Sequence, residues 1–572
     1  MKHIKRIASL ALALVLIVAM ASPVFAAKNT SHIITIDSYQ EGHTYEAYQV
    51  FLGEISGGKL VNVEWGNGVN GTALQAELNK EDVLGGAFKD CADAAAVVKV
   101  LDEYQDNSEA LDAFAAVVGK YLTTPATSSV KDGVCTINVT GDGYYLVKDK
   151  AGSAPESDAY TKYILKVIEN TSVTPKASAP TLDKVIVGGY SDTVSTASVG
   201  DKVNYKLTST VPAMDGYNKY FYIVHDTMSE GLTFNNDVKI TVGGTVLTPD
   251  ILKEDGTIQY MDYAVNVDGQ SFEIVFRDFL QYKEKVDAPI VITYSATLNE
   301  KAKLTPDENT NTAYLEFSND PNTDYEGGDP TDGDDDKPAP GEATGKTPGK
   351  TVVTYTTALR LQKVDEDGAK LTGAKFKISG TAAKAVIINQ EIYQESKSGT
   401  YYRLKNGTYT ETAPVTEGDG ANADQYDSTT VLYEKVTVVT KDTNLDYISR
   451  ESWVDSNGYI SYSGLGAGTY TITELEAPVG FNKLTDDITV TIGFEYTDNK
   501  PVWTVTAKMG EEAIEVANNN NVSYSFNVEN KSGVTLPATG GIGTTIFYVA
   551  GSILVLGAVV LLVTRKRMSA ER

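Results

Sequence analysis

The sequence predicts a mainly β protein: tandem antiparallel β-sandwiches, with helices added to the first. Three observations carry this. Apolar and polar residues alternate at period two in short runs separated by turn residues, as in Val203 to Thr210, Ser271 to Phe276 and Ile290 to Thr297. Of the aromatics, 34 are Tyr against 15 Phe and 3 Trp, a bias that suits strands with one wet face. Helical spacing of apolar residues is confined to about 87–122 and to the two ends of the chain.

The N-terminus reads as a secretory signal. Lys2, Lys5 and Arg6 precede an apolar stretch, Ile7 to Met20, and Val24-Phe25-Ala26 offers small residues for cleavage after Ala26. The C-terminus has Leu536-Pro537-Ala538-Thr539-Gly540, then an apolar run from Ile546 to Val563, then Arg565-Lys566-Arg567, charge that stays cytoplasmic. Removing 1–26 takes away three positive charges, and removing 540–572 takes away four positive and one negative. The formal −27 thus becomes −33 for 27–539. So acidic a surface repels phosphate backbones and disfavours a nucleic-acid partner. Two Cys exclude a disulfide framework, and four His disfavour a His-rich metal site.

The first domain is read over 28–176. Strands are expected at His32–Ile36, Tyr45–Leu52, Cys135–Val139, Tyr144–Lys148 and Tyr163–Ile168. Two helices are expected between Ala87 and Leu122, broken and capped at Asn107-Ser108. The second domain is read over 181–335 as all-β. Residues 320–350 are read as a linker or a long inter-strand loop, with 336–354 assigned as the linker, and 355–534 as the third domain, with an insertion over about 385–452. The run Asp329 to Asp336 is too acidic to bury. It matches a calcium loop only loosely, without the Glu an EF-hand needs, so a solvated linker is the reading.

Several motifs carry a resemblance. The C-terminal pentapeptide, span and basic stop together resemble the cell-wall sorting signal of Gram-positive surface proteins. Tyr470-Thr471-Ile472-Thr473-Glu474-Leu475-Glu476-Ala477-Pro478-Val479-Gly480-Phe481 resembles the E-box of sortase-assembled pilins, with Ile472, Leu475 and Phe481 as apolar departures. Leu361 to Asp365 and Phe526 to Asn530 resemble the first and last strands of an Ig-like Cna-B domain. End to end, the chain resembles a Gram-positive major (backbone) pilin.

That resemblance implies two kinds of amide cross-link. Within the third domain, Lys363 would join Asn530 under the acid Glu474. Within the second, which resembles the Cna-A type, Thr181-Leu182-Asp183-Lys184 opens the first strand. Phe317-Ser318-Asn319-Asp320-Pro321-Asn322 closes the last, and His225-Asp226-Thr227-Met228 resembles the acid-bearing segment. Lys184, Asp226 and Asn319 are then the expected set, with Asn322 and Asn311 as competing acceptors. Burial lowers a Lys pKa toward a neutral, nucleophilic amine and raises that of a carboxylate, so the acid can be protonated and polarise the Asn carbonyl. Between subunits, Val173-Thr174-Pro175-Lys176-Ala177 resembles the pilin motif, with Thr174 and Ala177 departing from it. Lys176 would attack the acyl-enzyme that a sortase forms at Thr539. No internal cross-link is expected in the first domain. There Cys91 and Cys135 are exported together, so a disulfide between them is allowed.

The implied partners are pilin-specific and housekeeping sortases, identical subunits, peptidoglycan, and in addition minor pilins and host surface ligands. No metal or cofactor is implied. The implied location is a pilus anchored to the Gram-positive cell wall. The alternative is a wall-anchored adhesin or a minor pilin at tip or base. A secreted enzyme is poorly supported, because no Gly-x-Ser-x-Gly, His-Glu-x-x-His or phosphate loop occurs. The chain is read as a sortase substrate that catalyses only its own internal bonds.

Overall fold

Alternation in the sequence becomes sheet in the structure, and the sheets stack into three domains. The computed structural model describes residues 30–568 apart from 107, 169–170, 329–336, 381–386, 406–408, 419, 442–447 and 535–541. The leader over 1–26, Asn107, the acidic run and the pentapeptide Leu536–Gly540, with Thr539, therefore lie outside the described residues.

In the first domain the strand order is Ile164–Ile168, Gly143–Asp149, Tyr45–Ser56, Ala126–Lys131, Val134–Thr140, Ser31–Ile36 and Thr171–Val173. Lys59–Trp65 adds to Tyr45–Ser56. Two of its helices lie where the periodicity places them. Ala94–Leu101 is capped by Asp93, whose side chain accepts from the Ala96 N–H, and Glu109–Gly119 by Ser108, which accepts from Leu111. A further helix, Gly71–Leu78, is too short and too polar to show a strong period, and the sequence reading misses it. Cys91 packs in the core beneath the helices, Cys135 in a separate core between the strands, and both thiols are free. The allowed disulfide is not formed: the fold buries the two residues in different clusters.

The second domain is a two-sheet sandwich. One sheet runs Thr245–Val246, Lys239–Val242, Pro289–Leu298, Lys202–Thr210 and Asp183–Val187. The other runs Val194–Thr196, Lys350–Tyr355, Asn309–Ser318, Tyr222–Met228, Ser271–Phe276 and Tyr263–Asp268. Here the structure corrects a boundary. Residues 336–354 are not a linker: Thr344–Lys346 and Lys350–Tyr355 both pair antiparallel with Asn309–Ser318. Lys350–Tyr355 also buries Val352, Thr354 and Tyr355, which a solvated spacer would not. The second domain therefore ends at Tyr355.

After the single residue Thr356, the third domain starts with Thr357–Val364. That strand lies parallel to the C-terminal strand Ser523–Glu529, Lys363 opposite Val528. The facing sheet contains Lys375–Gly380, Gly468–Glu476, Ile488–Thr497 and Lys500–Met509. The 385–452 insertion builds the hairpin of Ile387–Glu395 and Tyr433–Lys441, which joins the first sheet through Tyr459–Leu465.

The domains are closely joined. Val194 and Tyr355 of the second domain pack in the third domain's core. The Trp503 Nε1–H donates to Thr305 Oγ1 at 2.9 Å, and the Gly466 N–H to Ser198 Oγ at 2.9 Å. Between the first two domains, the Tyr160 N–H donates to the Asn319 carbonyl at 2.7 Å. At the C-terminus, Ile546–Arg567 is a 22-residue helical stretch of mean hydropathy 2.7 with no part buried, long and apolar enough to cross a membrane.

Candidate functional site

Three lysines with three environments define the chemistry. Lys363 lies on Thr357–Val364 and points into the sandwich, 0 % exposed. Its Nζ donates to the Val528 carbonyl at 2.7 Å and stands 4.0 Å from Glu474 Oε1. Asn530 follows the C-terminal strand, and its backbone N–H donates to the Val364 carbonyl at 3.0 Å. Its Nδ2 donates to both carboxylate oxygens of Glu474 at 3.1 Å, while its Oδ1 is buried without a partner. Glu474 comes from the facing sheet, held by the Leu484 N–H at 2.8 Å. Thus lysine and amide lie on neighbouring parallel strands and the acid reaches them across the core. Burial pulls the Lys363 ammonium down to about 8, against the opposing charges of Glu474 and Glu529. The sequence-predicted set Lys363, Glu474 and Asn530 is brought together.

In the second domain Lys184, 2 % exposed, donates to Asp226 Oδ2 at 2.6 Å. Its Nζ lies 5.4 Å and 5.7 Å from the ring centres of Tyr205 and Tyr294. The Tyr294 hydroxyl also donates to Asp226 Oδ2. Burial lowers Lys184 to about 8 and raises the Asp226 carboxyl; their mutual attraction opposes both shifts. Both shifts favour moving the proton from ammonium to carboxylate, which leaves a neutral amine beside a carboxylic acid.

The expected acceptor is corrected here. Asn319 lies beyond the end of Asn309–Ser318, its carbonyl and side chain turned to the first domain at Tyr160 and Asp158. Asn311 occupies the site instead. It is 0 % exposed, its Nδ2 donates to the Tyr294 hydroxyl at 3.3 Å, and its Oδ1 has no hydrogen-bond partner. In register Asp226 faces Ala313 and Met228 faces Asn311, so Asp226 and Asn311 are diagonal neighbours on one face. Eight residues of strand, roughly 27 Å, separate Asn319 from that point. Asn311 carries a signal that the sequence reading undervalues: an amide in phase with the inward-facing Ala313, Leu315 and Phe317. The lining Tyr205 and Tyr294 are missed altogether. Asn322, the other competitor, bonds backbone of the first domain: its Oδ1 accepts from Tyr163 and its Nδ2 donates to the Thr161 carbonyl, both at 2.9 Å.

Lys176 differs from both. It is exposed and lies at the seam of the first two domains, in a cleft of about 320 Å³ lined also by Glu109, Asp112, Lys162, Asp215 and Tyr217. Its backbone N–H donates to Thr161 Oγ1 at 2.7 Å and its carbonyl accepts from the Lys162 N–H at 3.2 Å.

Three stretches of the chain match known protein families. Residues 199–321 match a family model described as Gram-positive pilin backbone subunit 2, Cna-B-like domain. Residues 420–511 match a prealbumin-like fold domain, and 528–569 match the LPXTG cell wall anchor motif. The second domain is thus matched as Cna-B-like, where the sequence reading expects the A type. The chain is 27 % identical over 417 residues to the trypsin-resistant surface T6 protein of Streptococcus pyogenes serotype M6, covering 68 % of this chain and 70 % of that protein. Among solved structures it is similar to the T6 backbone pilin of S. pyogenes serotype M6, which has a modular three-domain structure. The TM-score there is 0.51 at 18 % identity, over 89 % of this chain and 100 % of that one. It is also similar to the full-length major pilin SpaD of Corynebacterium diphtheriae, with TM-score 0.43 and 15 % identity over 89 % and 98 %. With its pilin-backbone domain, prealbumin-like domain, wall-anchor motif and apolar C-terminal helix, the chain is a major (backbone) pilin of the sortase-assembled Gram-positive type: a structural shaft subunit anchored to the cell wall.

Proposed function

We propose that the shaft is joined between subunits through Lys176 and Thr539, and hardened within each subunit by two amide bonds, Lys184–Asn311 and Lys363–Asn530. One observation carries this reading: two lysines are wholly buried, each grouped with an acid and an amide, while the third is exposed on a tethered segment.

In each internal reaction the neutral lysine amine attacks the Asn Cγ. The acid, Asp226 or Glu474, polarises the amide, takes up the proton that the attacking nitrogen sheds and hands it to the departing nitrogen, so it ends in the state in which it began. One C–N bond forms, one breaks, and ammonia leaves. Between subunits, a sortase Cys thiolate attacks the Thr539 carbonyl and the Gly540 amine departs with the membrane helix. The Lys176 Nζ of the next subunit then attacks the thioester, an amide forms and the thiolate is released. The housekeeping reaction replaces Lys176 with an amine of the peptidoglycan precursor. Apart from its own internal bonds, the chain is a substrate and not an enzyme.

The test is the intact mass of the soluble ectodomain, with a polymerisation arm. Two internal bonds lower the mass by about 17 Da each, one ammonia per bond. A mass equal to the plain sequence refutes both bonds. A Lys176→Ala chain that still forms a ladder with its sortase refutes the acceptor.

A further inference from the structure

Lys176 presents its amine on a long, exposed side chain, so its reach is set by where its backbone is fixed. Both backbone polar groups of Lys176 are engaged by two successive residues, Thr161 and Lys162. The Thr161 hydroxyl sits between two partners: it accepts from the Lys176 N–H at 2.7 Å and donates to the Lys162 carbonyl at 3.3 Å. Thr161 is itself only 1 % exposed and is gripped from both domains. Its N–H donates to Asp149 Oδ2 at 2.5 Å, and its carbonyl accepts from Asn322 at 2.9 Å. Asp149 is buried as well, and its Oδ1 meets His43 Nδ1 at 2.9 Å. The far side of that imidazole, Nε2, lies 3.4 Å from Asp158.

Resting on the reading of Lys176 as acceptor, we propose that Thr161 is the positioning residue for the intersubunit transfer. It is held by Asp149 and His43 from the first domain and by Asn322 from the second. The hydroxyl fixes the Lys176 main chain, and so the origin from which Nζ approaches the thioester. Pro175 supplies a preset φ and no N–H of its own, so the Lys176 N–H is the donor that ties the segment at this point. A transfer reaction is sensitive to such placement: a shift of about 1 Å from a remote change can cost about a hundredfold in rate.

The experiment uses the whole ectodomain as acceptor, a labelled peptide containing Leu-Pro-Ala-Thr-Gly as donor, and the pilin sortase. Thr161→Val keeps the volume and removes the hydroxyl; Thr161→Ser keeps the hydroxyl; Thr161→Ala guards against a misfolded valine variant. The expected result is a fall in kcat of about tenfold or more for Thr161→Val and Thr161→Ala, with KM for the acceptor unchanged and the rate restored in Thr161→Ser. Hydroxylamine release of the peptide acyl-enzyme stays the same throughout, because the donor half is untouched. Wild-type kcat in Thr161→Val and Thr161→Ala overturns the proposal, as does an equal loss in Thr161→Ser. A Lys176→Ala acceptor that is labelled as fast as wild type overturns the acceptor reading beneath it and is distinguishable from either result.

Discussion

Replacing Asn311 by Ala separates the proposed acceptor from the one the strand-end pattern suggests. With the Lys184–Asn311 amide formed, a loop running from 184 to 311, about 127 residues, is closed. On the chain-entropy estimate used for disulfides, closing it stabilises the domain by about 5 kcal/mol. For a domain spanning Asp183 to Tyr355, 1 kcal/mol corresponds to about 2–4 °C in Tm. The second-domain transition should therefore fall by about 10–20 °C, read by calorimetry. The intact mass should rise to that of a chain with one internal bond. Asn319→Ala should keep both bonds and lose only its side-chain contact with the first domain at the Asp158 carbonyl, the backbone bond to Tyr160 remaining. The reasoning is refuted if Asn311→Ala retains the mass of two bonds, or if Asn319→Ala is the variant that loses one.

Further consequences follow from the same geometry. In single-molecule pulling between the ends of the ectodomain, the closed loop should hide roughly 430 Å of contour length that Asn311→Ala releases. Equal unfolding lengths would count against the bond. Glu474→Gln should leave Lys363 and Asn530 unreacted, with a mass one ammonia heavier and a third domain that trypsin cleaves faster; an unchanged mass would contradict the role of the acid. His43 titrates inside the first domain. Burial pulls its imidazolium down, but the hydrogen bonds and charges of Asp149 and then Asp158 outweigh this and raise it above 6.5. A raised folded value contributes stability that is fully present below about 6.5 and lost as pH rises through the folded value. First-domain stability should therefore decline on the alkaline side of 6.5 in the wild type and be flat there in His43→Gln, as measured by denaturant unfolding at a series of pH values.

The third domain's candidate site is legible because its residues sit beside marked strand ends. Lys363 follows an alternating run, Asn530 closes the last strand, and Glu474 is fixed by the motif around it. The parallel pairing of Thr357–Val364 with Ser523–Glu529 then needs no guess about register. The second domain was harder for a physical reason. Which Asn meets Asp226 depends on the register between Tyr222–Met228 and Asn309–Ser318, and a residue's phase within a strand counts for more than its nearness to the strand's end. The boundary at 336–354 is not legible in the sequence because the local composition is rich in Pro and Gly, while Lys350–Tyr355 belongs to the second domain through its pairing with a strand about forty residues earlier. Thr161, Asp149 and His43 could not be assembled from the sequence at all. They are joined by hydrogen bonds across loops more than a hundred residues apart at the widest, and none carries a local motif.

The central claim is a covalent shaft joined at Lys176 and Thr539. Polymer formed from the ectodomain with its sortase can be digested, and the branched peptides sequenced by tandem mass spectrometry. The account predicts one dominant branch, with the Thr539 carbonyl on Lys176 Nζ. A branch on another lysine, or polymer whose subunits separate in hot detergent, would contradict it.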